Sequence, residues 1–165
     1  YETPAGMKGM EPLGLIEPIA ADNLGPEKVR LAKYHIDWQT IYNCVGLCMF
    51  MPYDKLQMQE IVQGATGWPV SLFEMMKVGE RAMAMARVYN YREGFTPADD
   101  KPLWRFSTKF ESGPAEGAAV PAEDIARAVE LYYEMNSWDD ETGAPTEGKL
   151  VELGVGWLAD VVVAG

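Results

Sequence analysis

The sequence predicts an all-α fold: a multihelical, bundle-like domain with long irregular loops. Two observations carry that expectation. Apolar residues recur at three-and-four spacing in several separate stretches, and those stretches are bracketed by residues suited to starting or stopping a helix.

Residues 1–25 stand apart as an extended lead-in. Gly6, Gly9, Gly14 and Gly25 are set among Pro4, Pro12 and Pro18 without a helical period. Running along a neighbouring domain, such a segment would account for exposed Met7, Met10, Leu13, Leu15 and Ile16; a loosely packed arm is the other reading.

The helical domain then occupies 26–165. Pro26 sits where a helix favours its first residue, and Glu27 puts negative charge in the first turn. Val29, Ala32, Ile36 and Tyr42 form an imperfect stripe, broadened by Leu31, Trp38 and Ile41. A second helix is expected from the N-cap Asp54 to a stop at Gly64. The third has the clearest start: Ser71 and Glu74 make a capping box, and Val70 can staple on Met75. Leu72, Met75, Met76, Gly79, Ala82, Met83, Ala86 and Tyr89 then define its expected buried face. Gly79 and the alanines would let another helix approach closely.

Phe95–Val120 reads as a long irregular connection, with Thr96-Pro97, Pro102 and Gly113-Pro114 among scattered aromatics. Pro121 to Asn136 is helical again, with Ile125, Ala128, Val129, Tyr132 and Met135 on one face. Thr146 is the expected N-cap of a brief helix ending at Gly154. The run from Trp157 to Val163 fits either a helical extension or a short strand.

At 165 residues, with 48% apolar and 11% aromatic side chains, the chain suffices for one globular domain with a core. A formal charge of −11, from 14 basic and 25 acidic residues, argues against nucleic-acid and anionic-membrane partners. No stretch approaches the roughly 18 consecutive apolar residues of a membrane span. Two cysteines four apart make no disulfide framework, so a reducing, cytoplasmic setting is expected. With Tyr1 first and no leader, the chain reads as a piece of something longer. There is no phosphate-binding glycine loop, and the one histidine, His35, has no serine-aspartate constellation to serve.

Chemistry is concentrated in Tyr42–Phe50, which holds both cysteines, Cys44 and Cys48. Two readings stand: thiols buried among Val45, Leu47, Met49 and Phe50, or thiols facing a cofactor. The Cys-x-x-x-Cys spacing does not match the usual zinc or dithiol redox pairs closely and no second ligand pair follows, so a metal or redox module on Cys44 and Cys48 alone is the weaker third reading.

The run Asn43-x-x-Gly46-Leu47-Cys48 resembles the Asp-x-x-Gly-Leu-Cys motif near the C-terminus of the tungsten-containing aldehyde:ferredoxin oxidoreductases. Ala65-Thr66-Gly67-Trp68, Gly79-Glu80-Arg81, Tyr89–Phe95 with Asp99-Asp100, Leu131-Tyr132-Tyr133 with Trp138-Asp139, and Pro145-Thr146 follow in that family's order. The similarity runs from about Lys28 to about Gly154.

The resemblance implies the C-terminal domain of an enzyme that oxidises aldehydes to carboxylic acids and passes electrons to ferredoxin. Its cofactors would be a tungsten or molybdenum bis-pterin and a [4Fe-4S] cluster. Cys48 would ligate cluster iron, with Asn43, Gly46, Leu47 and Met49 at the pterin edge. Asn43 replaces an aspartate: an amide donates as well as accepts, so the ring contact would be weakened or reversed. The other three cluster cysteines belong to upstream domains, the implied partners, so this piece alone is not expected to be active and no catalytic residue is assigned to it. An apolar face left for those domains would favour a homodimer or dye binding in isolation. The rival reading is a structural or interaction module that has lost its cofactor.

Overall fold

The computed structural model describes residues 2–20, 22–51, 53–114 and 116–163, with only the backbone at 163; the outermost ends of the expected lead-in and final segment lie outside these. Among them the architecture is all-α, and the only β features are two isolated bridges, Phe110 to Glu116 and Trp138 to Pro145. The helices are α1 (Pro4–Met7), α2 (Pro26–Val45), α3 (Lys55–Thr66), α4 (Leu72–Arg92), α5 (Ala122–Asn136), α6 (Glu147–Glu152) and α7 (Ala159–Val163). No described helix is long and apolar enough to cross a membrane.

α2 is the hub, packing chiefly on α4 and then on α5. It buries Val29, Leu31, Trp38, Ile41 and Tyr42, but also Lys33 and Asp37, which is why its apolar stripe is imperfect. The two charges are compensated locally. Lys33 Nζ donates to Asp37 Oδ2 at 2.8 Å and to Glu80 Oε1 on α4 at 3.2 Å. Glu80 also receives Lys77 at 2.7 Å and Lys149 of α6 at 3.1 Å, so one buried carboxylate joins three helices. Burial alone would raise the Glu80 pKa; Lys77, Lys33 and Lys149 outweigh it and hold the group at about 2.

α4 begins with the expected capping box: the Glu74 amide donates to Ser71 Oγ and the Ser71 amide to Glu74 Oε2. Its buried face is rotated from the predicted one in the C-terminal half. Ala86 and Tyr89 are exposed, whereas Ala84, Arg87 and Val88 are buried. The reason is tertiary. Arg87 donates to the Gly143 carbonyl at 2.6 Å and to the Tyr133 hydroxyl, pairs with Asp100 at 2.7 Å, and lies against the Tyr133 and Trp138 rings.

α3 runs two residues past the expected stop at Gly64 and ends at Gly67. α5 and α6 fall where predicted, with Thr146 capping α6 through the Lys149 amide. The ambiguous final run is helical: Leu158 is buried with Ala84, Val88, Leu150, Leu153 and Val155, and Val161 and Val162 pack beside them.

The expectation of an extended lead-in with exposed methionines is corrected. α1 and a 3-10 turn over Lys8–Leu13 fold the segment back on α2, burying Met7, Met10, Leu15 and Ile19 against Leu31. Of the five residues expected to be exposed, Ile16 is exposed and Leu13 half-buried. Its prolines fit because one starts α1 and another lies in a 3-10 turn that needs few backbone donors.

Candidate functional site

The cysteine stretch sits where α2 ends. Gly46 adopts a left-handed conformation (φ 70°), its amide donates to the Asn43 carbonyl, and the Leu47 amide reaches back to the Tyr42 carbonyl at 3.0 Å. This is a Schellman C-cap, and a side chain at Gly46 would strain it. Leu47 then packs on the cluster of Trp38, Ile41, Tyr42, Met58 and Met75. The helix end and its apolar anchor thus fix the stem from which Cys48 projects.

Both thiols are exposed. The reading in which they are core cysteines is therefore set aside. Asn43, Gly46 and Met49 are exposed as well, and Leu47 is half-buried. The structure so brings the five sequence-predicted residues onto one helix end and its following turn, in which the Met51 amide bonds the Cys48 carbonyl at 3.2 Å. Around them Met49, Met51 and Val45 are partly exposed, and Phe50 is 89% exposed. An unshielded phenylalanine beside two free thiols is a surface suited to being covered by another body.

The donor set decides what metal chemistry the chain supports. Among the described residues no three His, Cys, Asp or Glu side chains gather where they could hold an ion. A [4Fe-4S] cluster needs about four thiolates. The chain fits the role of one thiolate donor to a cluster completed from elsewhere, and does not fit a complete site.

The far side of the loop shows residues that sequence reasoning missed. Lys55, at the start of α3, is buried; its ammonium lies 5.1 Å from the Trp38 ring centroid and donates to the Gly9 carbonyl. Burial lowers its pKa, and Asp54 partly offsets this. A signal existed in the sequence: a cation in the first turn opposes the helix dipole, so its presence there calls for a specific partner. His35, on α2, is half-buried, and burial followed by the charge of Lys55 lowers its pKa.

Comparison with known proteins gives the family. Residues 3–155 match the family model described as aldehyde ferredoxin oxidoreductase, domains 2 and 3. The chain belongs to the aldehyde ferredoxin oxidoreductase family. The tungsten-containing aldehyde ferredoxin oxidoreductase of Thermococcus kodakarensis is 26% identical over 149 residues, covering 88% of this chain and 24% of that protein. The enzyme of the same name from Pyrococcus furiosus is 25% identical over 149 residues, with the same coverage. The WOR-like subunit of an aliphatic sulfonate oxidoreductase from Pyrococcus furiosus is 47% identical over 58 residues, 35% of this chain and 9% of that protein. The chain spans about a quarter of the length of the first two relatives. Family membership makes it an oxidoreductase-type domain, and the match includes residues 3–25, the segment folded onto α2.

Proposed function

We propose that this chain is the C-terminal, cofactor-contacting domain of an oxidoreductase that converts an aldehyde and water to a carboxylic acid, two electrons and two protons. The observation that carries the reading is the exposed Cys48 thiol, presented just beyond a Schellman cap within the motif Asn43-x-x-Gly46-Leu47-Cys48. A tungsten or molybdenum bis-pterin and a [4Fe-4S] cluster would supply the two-electron oxidation and onward transfer to ferredoxin.

The chain's own residues hold and orient. Cys48 gives one thiolate to iron, and the Gly46 turn keeps bulk away from the approaching group. Leu47 anchors the turn in the core while Met49 gives a soft apolar edge. Asn43, on the last turn of α2, offers its amide to the pterin ring. Upstream domains of the same protein supply the remaining thiolates and cover Phe50, and in their absence a homodimer would cover it instead.

Asn43 also favours the rival reading, a domain that keeps the fold and has lost the pterin. Oxidative release of pterin from the anaerobically purified natural full-length protein, read by fluorescence, tests the two. The proposal expects pterin in the wild type and firmer retention after Asn43→Asp, which restores a carboxylate. Absence of pterin from both proteins would leave the interaction-module reading.

A further inference from the structure

The loop between α2 and α3 is fixed at both ends, and the second fixture has no part in the function proposed above. At its exit Asp54 caps α3, its side chain accepting from the Gln57 amide at 2.8 Å while Gln57 Oε1 receives the Asp54 amide at 3.0 Å. The Tyr42 hydroxyl donates to the Tyr53 carbonyl at 3.4 Å, linking the end of α2 to the end of the loop. Tyr42 is in turn held edge-on to Trp38, ring centroids 6.2 Å apart. Beyond Asp54 comes Lys55, with its ammonium between the Trp38 face and the Gly9 carbonyl.

Burying that ammonium is costly. It is taken from water and set at a helix N-terminus, where the dipole opposes it, and it is met by a carbonyl dipole and a π face. A lysine serving only to fill space would be replaced at lower cost by methionine or leucine. The same ammonium ties three elements: the N-terminal segment at Gly9, α2 at Trp38, and the first turn of α3. Trp38 and Leu47 belong to one apolar cluster, so a shift of the clamp reaches the stem of Cys48 through packed side chains.

We propose that Lys55 is a positioning residue for the cysteine loop: clamped between Gly9 and Trp38, it fixes the exit of the loop and with it the place of Cys48. The N-terminal segment is then part of the scaffold of the site. The inference rests on the reading that Cys48 is the residue the loop exists to present, and it adds what holds that residue still.

The test uses the 165-residue chain with a nitroxide attached to Cys48 in a Cys44→Ser background, compared with the label on Cys44 in a Cys48→Ser background. Replacing Lys55 by methionine removes the charge at similar length. The label at Cys48 is expected to gain mobility, its correlation time shortening about twofold, as a locally released loop would show. Lys55→Arg, which keeps a cation for both the carbonyl and the ring, restores it. The label at Cys44, on the helix, is unmoved throughout. Should Lys55→Met fail to fold, Lys55→Gln, which keeps a donor without the charge, carries the test with an intermediate gain. Unchanged mobility at Cys48 in a folded variant, or an equal change at Cys44, overturns the proposal and leaves Lys55 a residue of general stability. The readout needs no metal. Iron missing from the full-length protein would therefore count against the cluster reading alone, and an unmoved label against the clamp alone.

Discussion

Gly79 on α4 lies directly against the backbone carbonyl of Asp37 on α2. A methyl built at Gly79 would sit 2.8 Å from the Asp37 carbonyl carbon and overlap its oxygen. The two longest helices touch backbone to backbone there, and the Lys33–Asp37–Glu80 group closes over the same crossing.

Gly79→Ala is accordingly expected to destabilise the domain by about 2–3 kcal/mol, because backbone cannot yield as a flexible side chain can. Denaturant unfolding should show a lower midpoint with an unchanged slope. A midpoint equal to wild type would mean that the helices separate freely.

Glu80 predicts the acid limb of stability. Its folded pKa is about 2 against an ordinary 4.5, so between those values the unfolded chain binds more protons and stability falls as pH falls. The contribution is of order 3 kcal/mol, complete above about pH 4.5. Asp37 works in the opposite sense, since burial raises its pKa despite Lys33. The effect is therefore read as wild type minus Glu80→Gln across pH 2 to 5, and a difference independent of pH would contradict it.

Arg87 gives a third prediction. Lysine retains charge but cannot reach the Gly143 carbonyl, the Tyr133 hydroxyl and Asp100 at once while stacking on Trp138. Arg87→Lys should cost about 2 kcal/mol in thermal unfolding. The Tyr133 hydroxyl is raised to about 12, chiefly by burial and then by its bond to Asp100, while the Arg87 guanidinium pulls it down, so loosening that contact should make it titrate later. A Tyr133 titration unchanged in the variant would sink the link.

What could be read in the sequence was local. Asp54, Ser71 and Thr146 mark helix starts through bonds made within three residues, and each caps its helix. Gly46 was legible as a turn, and the exposed thiol of Cys48 agrees with the motif that contains it. Glu80 was legible as a charge able to tie its helix to a neighbour, but the partners themselves lie far along the chain. Lys33 meets Glu80 47 residues on, and Lys55 meets Gly9 46 residues back, so no window of periodicity contains either pair. The lead-in was misread because its apolar residues find their neighbours on α2 and not within the segment.

Cys48 remains the centre of the functional account. Because its thiol is exposed, Cys48→Ser should leave folding within about 0.5 kcal/mol of wild type while removing the thiolate proposed for iron. The decisive measurement is therefore metal analysis of the natural full-length protein, purified anaerobically, beside Cys48→Ser. Iron near four per chain with tungsten or molybdenum, and a cluster lost or altered in the variant, is the predicted result. Iron content and cluster spectrum identical in the two proteins, or no metal in either, would contradict the account.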